Sequence, residues 1–372
     1  MHEIIVETQT AHFQEPFPLR NGETLPELTI AYETYGALNE KKDNTVWVCH
    51  ALSGDAHCAG RHEDARKPGW WDTLIGPGRK LDTNRYFVIC SNVIGGCSGS
   101  TGPSSIDPRT GKPYGLTFPV LTIADMVNAQ KRLLDHLNIP TLHAVVGGSM
   151  GGMQAMQWAV SYPQTVENLV VVASCVRHTP QQIAFNEVGR RAIVSDPHWN
   201  NGHYYGTEGP SLGLAVARMI GHITYLSETS MMNKFGRRVR ETHAEKFEPA
   251  FEVETYLSHQ GSAFVGRFDA NSYLYITKAL DTFDLASEAG TLEDTFARFK
   301  GRTLLISFTS DWLYPSSLMK EIAVAIRRRQ GAVTYCDIET DYGHDSFLLK
   351  NDQMESLIEG FLANDPNDRP VA

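Results

Sequence analysis

Several things are missing from this 372-residue chain, and each absence removes a class of function. No stretch approaches the roughly 20 consecutive apolar residues of a membrane span, so no transmembrane helix and no membrane partner are expected. Positive charge is in short supply. Lys and Arg total 33 against 43 Asp and Glu, a net charge of −10, which argues against a nucleic-acid or polyanion surface. The six cysteines, at 49, 58, 90, 97, 175 and 336, show no C-x-x-C spacing. They read as small buried hydrophobes in a reducing compartment, with no metal and a cytoplasmic location expected. The start, Met1-His2-Glu3-Ile4-Ile5-Val6, is too short and wrongly charged for a signal peptide. There is no phosphate-cradling P-loop, no internal repeat and no low-complexity tract. What remains is a chain with 42% hydrophobic residues, enough for a sizeable core, and long enough for an α/β core carrying an insertion.

The most informative stretch is Gly147-Gly148-Ser149-Met150-Gly151. It follows an apolar run, Leu142 to Val146, that reads as a buried strand, and leads into Gly152 to Val160, which reads as a helix. A G-x-S-x-G between strand and helix is the nucleophile elbow of an α/β-hydrolase fold. The turn leaves no room for side chains at its flanks, and the serine hydroxyl projects from the sheet edge. The following helix aims its first N–H groups at the site, where they favour negative charge. A nucleophilic serine needs a base, and the base an orienting carboxylate, in the chain order Ser, Asp or Glu, His. Asp311 follows the β-rich run Thr303 to Phe308, and His344 follows the strand candidate Val333 to Ile338. Helical periodicity from Ser316 to Arg329 separates the two strands. The predicted triad is therefore Ser149, Asp311 and His344.

Strands are expected at Leu28 to Tyr35, Thr45 to Cys49, Tyr86 to Ser91 and Asn168 to Ser174. Thr122 to Leu137 is a helix with an apolar face and a capping-box pair, Thr122 and Asp125. Alternating strands and helices imply a mostly parallel sheet covered on both faces. From about Pro180 to Thr291 strand signals vanish. Leu212 to Tyr225 is amphipathic, Lys234 to Arg240 is basic, and Phe268 to Leu285 is helical and aromatic. This divides the chain into a core, residues 1–180 and 292–372, and a helical lid inserted at 181–291. The end, from Asn364, reads as a loose tail.

An acyl-transfer serine also needs an oxyanion hole. One donor is the backbone N–H of Met150. The other is expected in the loop His50-Ala51-Leu52-Ser53-Gly54, at the N–H of Leu52. His50 comes too early for the triad order and reads as a loop-shaping residue. With these blocks, Trp70-Trp71-Asp72, Gly99 to Ser105, Ala217-Arg218-Met219-Ile220, Thr224-Tyr225, Phe268 to Leu274 and Gly343-His344-Asp345-Ser346-Phe347, the chain resembles the homoserine O-acetyltransferase family of the methionine pathway. The match runs from about residue 28 to 350. One departure is Leu226, where the family pattern leads one to expect Arg.

The resemblance implies more than the triad. Arg218 would bind the substrate α-carboxylate, Tyr225 on the same helical face would contact the same substrate, and Asp345 would hold its ammonium group. The implied reaction moves an acetyl group from acetyl-CoA, a co-substrate and not a bound cofactor, to the γ-hydroxyl of L-homoserine through a Ser149 acyl-enzyme. Homoserine O-succinyltransferase, serine O-acetyltransferase and a water-using esterase or thioesterase are the alternatives on this scaffold. Met219, Ile220, Ile223, Met231 and Met232 give the lid more apolar surface than it can bury alone, so a homodimer through the lid helices is expected.

Overall fold

The computed structural model describes residues 4–63, 67–239 and 250–364. Met1 to Glu3, Arg240 of the basic segment and the tail beyond Asn364 lie outside the described residues.

Eight strands form the central sheet: β1 Gln9–Phe13, β2 Leu28–Tyr35, β3 Thr45–Cys49, β4 Phe87–Ser91, β5 Leu142–Gly148, β6 Val166–Val172, β7 Arg302–Phe308 and β8 Val333–Ile338. Their spatial order is β1-β2-β4-β3-β5-β6-β7-β8. The pairs β1–β2 and β2–β4 are antiparallel, and every pairing from β4 through β8 is parallel. Strands β3 and β5 are buried along their whole length, as strands covered on both faces must be.

Alternate residues of these strands feed two cores. Trp47, Val145, Leu169 and Leu305 pack with helices α1 (Ile123–His136), α2 (Met150–Ser161) and, later in the chain, α9 (Ser316–Arg328). Val48, Val146, Val170 and Ile306 face the opposite way, toward Trp71, Leu74 and helix α10 (Asp352–Ala363). The capping box forms as the sequence indicates: Asp125 N donates to Thr122 Oγ1 (3.2 Å), and Thr122 N donates to the Asp125 carboxylate (2.8 Å).

Between β6 and β7 the chain is helical: α3 Pro180–Val194, α4 Ser211–Tyr225, α5 Glu228–Phe235, α6 Glu252–Val265, α7 Ala270–Thr282 and the short α8 Leu292–Thr295. Helix α4 lies against both α3 and α6, around Ile193, Leu214, Ala217 and Phe264. No described helix is long and apolar enough to cross a membrane.

Some boundaries differ from the sequence reading, for local reasons. Strand β6 ends at Val172 and not Ser174, because Ala173 takes a positive φ of 46° that breaks the extended run. The aromatic helix starts at Ala270, capped by Asp269, and stops before Phe283, whose backbone is extended.

Candidate active site

Ser149 stands between β5 and α2 at φ 56°, ψ −124°, a conformation few non-glycine residues adopt. Its N–H is tied to Val172 O (3.0 Å), and its carbonyl accepts from Ser174 Oγ (2.8 Å). The flanking glycines are required by close approach. A Cβ on Gly147 would lie 2.1 Å from Gly151 O, and one on Gly151 would lie 2.1 Å from Cys49 O. The elbow is thus pressed onto the end of β3, beside the loop that follows it.

His344 and Asp311 arrive from the loops after β8 and β7. His344 Nε2 is 2.9 Å from Ser149 Oγ, and His344 Nδ1 is 2.7 Å from Asp311 Oδ2. Asp311 Oδ1 accepts from Leu313 N (3.0 Å) and Tyr314 N (2.8 Å), so the carboxylate is held by its own loop. His344 and Asp311 are each only 3% exposed. Residues 195 and 33 positions apart therefore form one hydrogen-bonded chain.

The loop after β3 turns at Ala51-Leu52-Ser53-Gly54, closed by Gly54 N to Ala51 O (2.9 Å). His50 anchors it. Nε2 accepts from Val93 N (3.1 Å) and Nδ1–H donates to Ala51 O (2.8 Å), while burial lowers its basicity. Both ring nitrogens are occupied away from Ser149. Gln154 of α2 donates to His50 O (3.0 Å), joining the loop to the elbow helix. Met150 opens α2, so its N–H is among the donors a helix leaves unpaired.

Arg218 of α4 is half-buried, with Nη1 3.2 Å from Ser53 Oγ and its guanidinium 5.6 Å over the Tyr225 ring and 4.7 Å over Phe264. The Tyr225 ring centre lies 6.0 Å from that of His344. Asp345 is half-buried beside it, and burial raises its carboxyl above the ordinary range, against the pull of His344 and Arg218. The C-terminus of α4 is fastened to both triad loops. Trp312 Nε1 donates to Leu226 O (3.0 Å), Ser227 Oγ donates to Asp341 O, and Gly343 sits so close to Tyr225 O that a Cβ would approach to 2.7 Å. Leu226 is itself buried. A cavity of about 740 Å3 opens on Asp345 and is lined also by Leu226, Lys234, Tyr256 and Lys350.

Sequence reasoning passed over Arg267, Ser174 and Tyr314. Arg267 donates from Nη1 to Ser53 O (2.9 Å), so two arginines meet the same turn residue. A lone Arg at the end of a helix reads as a surface cation, and only its adjacency to the Phe268 block hinted otherwise. Glu33, His57 and His62 bring metal-type donor atoms within 4.8 Å of one another. The buried carboxylate already accepts from Thr8, Tyr35, His57 and His62 and so anchors the segment from His57 to His62, with His57 Nε2 buried and left without a partner.

This strand order, with a strained serine after β5, is that of the α/β hydrolases, and the model of the alpha/beta hydrolase fold matches residues 44–351. Within that class the likeness narrows. A homoserine O-acetyltransferase of Methanosalsum zhilinae is 57% identical over 97% of this chain and 73% of its own length. The crystal structure of a homoserine O-acetyltransferase from Bacillus anthracis superposes with a TM-score of 0.91, at 30% identity, over 99% of both chains. Esterase E22 superposes with a TM-score of 0.88, at 32% identity, over 96% of this chain and 100% of its own. The chain belongs to the homoserine O-acetyltransferase family and is an acyltransferase.

Proposed function

We propose that this enzyme transfers an acetyl group from acetyl-CoA to the γ-hydroxyl of L-homoserine, through a covalent Ser149 intermediate, as a cytoplasmic step of methionine biosynthesis. The observation that carries the reading is the unbroken chain Asp311–His344–Ser149 lying beside the half-buried Arg218, Tyr225 and Asp345. His344 Nε2 takes the Ser149 proton as Oγ attacks the thioester carbonyl. The N–H groups of Met150 and Leu52 hold the tetrahedral oxyanion. Its collapse breaks the C–S bond, and His344 returns the proton to the departing thiolate. The γ-hydroxyl of homoserine then gives its proton to His344 and attacks the acyl-enzyme, and collapse restores Ser149. Arg218 pairs with the substrate carboxylate and Asp345 with its ammonium. The raised Asp345 carboxyl supports that role, because an arriving cation relieves the cost of burying it. Lys234 and Lys350 in the neighbouring cavity suit the phosphates of coenzyme A. The helical segment from α3 to α7 acts as the lid that keeps water from the acyl-enzyme.

The likeness to esterase E22 favours a second reading, in which water is the acceptor. The assay that separates them crosses acetyl- and succinyl-CoA with homoserine, serine and no acceptor. We expect the acetyl donor with homoserine to be fastest, and thioester hydrolysis to be suppressed as homoserine is added. Hydrolysis at a rate unaffected by either amino acid would establish the esterase instead.

A further inference from the structure

Behind the triad lies a second hydrogen-bonded chain that the reaction as described does not use. The side chain of Asp281 of α7 is only 6% exposed, and its Oδ1 accepts from His178 Nδ1–H (3.0 Å) and Asn186 Nδ2 (2.7 Å), while Oδ2 accepts from Arg190 Nη1 (2.7 Å). Burial works against its ionisation, but the bonds from His178, Asn186 and Arg190 outweigh that and hold the carboxyl below its usual range. Arg190, which also pairs with Glu187 (3.1 Å), gives the Asp281 carboxylate a cationic partner. With Nδ1–H directed at Asp281, Nε2 is left as an acceptor, and it lies 2.8 Å from the Tyr314 hydroxyl, which donates to it. The Tyr314 ring stacks on the His344 imidazole, with centroids 4.8 Å apart and planes 21° from parallel. Tyr314 is 4% exposed, and burial raises its phenol far above the usual range, against a lesser opposing contact with the Ser149 side chain, so it stays protonated through turnover. It is a fixed flat surface, not a proton store.

We propose that Tyr314, held by the buried Asp281–His178 pair, is a positioning residue that keeps His344 in the plane joining Ser149 to Asp311 and faces its charged form with an electron-rich ring. The inference rests on the proposed Ser149 chemistry, in which His344 becomes an imidazolium at each transition state. A cation over an aromatic face is stabilised, and a phenol that donates its proton to His178 presents a richer face than one that does not. Of the rings packed on His344, Tyr314 is nearer to parallel than Tyr225 at 41° or Phe347 at 67°, and the two helices α3 and α7 supply its hold.

The test measures the rate of Ser149 acylation by acetyl-CoA in rapid-quench experiments, together with KM for both substrates. Tyr314→Leu removes the ring and is expected to slow acylation by roughly 10- to 100-fold, with KM little changed. His178→Phe removes only the polarising bond and is expected to cost roughly two- to fivefold, whereas Tyr314→Phe removes that bond together with the contact of the hydroxyl with Ser149 and is expected to cost at least as much. The double variant should be no slower than Tyr314→Phe alone, because His178 acts on the ring only through its bond to that hydroxyl. His178→Gln, whose amide can both accept and donate, should recover part of the loss. The downfield proton resonance of the His344–Asp311 hydrogen bond should shift in both single variants. Should Tyr314→Leu fail to fold, the coupling and the resonance decide. Full acylation rates in the Phe variants, or losses that simply multiply in the double variant, overturn the proposal. If the unmodified enzyme itself never acylates Ser149, it is the proposed reaction that fails, and the two failures are told apart.

Discussion

At the residue scale the decisive feature is a serine held where serines rarely sit. The φ of 56° at Ser149 costs on the order of 1–3 kcal/mol, and the bonds to Val172 and from Ser174 hold it there. Asp311 fixes the imidazole from the other side, so Asp311→Asn is expected to lower kcat by roughly 10³–10⁴ while leaving the fold intact, and Ser149→Ala to abolish turnover. Steady-state kinetics with a thermal melt checks both. We propose that Arg218 and Asp345 divide the other task, holding the substrate. Arg218→Ala and Asp345→Asn should each lower kcat/KM for homoserine by roughly 10- to 100-fold and spare acylation of Ser149 by acetyl-CoA. Equal damage to both half-reactions would reassign Arg218 to coenzyme A or to the packing of α4.

At the element scale, the elbow, the β3 loop and the two triad loops are ends of neighbouring parallel strands, and this part was legible in the sequence. An apolar run, a G-x-S-x-G and a helical period are local signals, and the strand-end order of acid and histidine follows from the alternation of elements. The supports were not legible. His178 meets Asp281 across 103 residues and Tyr314 across 136, so no local pattern connects them. Ser174 reads as strand in the sequence, because a positive φ at Ala173 leaves no mark in composition. The Glu33 anchor was hidden the same way, its partners lying up to 29 residues along the chain.

That anchor makes a prediction at its own scale. Burial alone would raise Glu33, but bonds from His57, Tyr35, His62 and Thr8 bring its carboxyl down to about 2 from an ordinary 4.5. A depressed carboxyl stabilises the fold above its unfolded value, and the contribution fades as pH falls from about 4.5 toward 2, amounting to about 3 kcal/mol. Glu33→Gln should therefore lower stability at pH 7 and flatten the loss between pH 5 and 2.5. Parallel urea-unfolding profiles for the two proteins would contradict this.

At the scale of the whole molecule, the apolar side chains expected to drive self-association divide. Met219, Ile220 and Met231 are half-buried in the chain itself, whereas Ile223 is 44% and Met232 60% exposed. Leu212 at 76% and Val216 at 44% extend the exposed stripe along α4. We propose that this face joins two copies. Light scattering at low micromolar concentration should give about twice the 41.4 kDa chain mass, and Met232→Glu should reduce it without lowering the melting temperature. A monomeric unmodified chain would remove the proposal.

The whole reading turns on a covalent intermediate, and one measurement addresses it most directly. The enzyme is mixed with acetyl-CoA alone, quenched within one turnover, digested and examined by mass spectrometry, with a parallel sample chased with homoserine before quenching. The expected result is one acetyl group on Ser149 in the first sample, discharged to O-acetylhomoserine in the second far faster than water removes it. Product formation with no acetyl on Ser149 at any time, accompanied by intersecting double-reciprocal lines, would mean direct transfer and would contradict the mechanism proposed for this site.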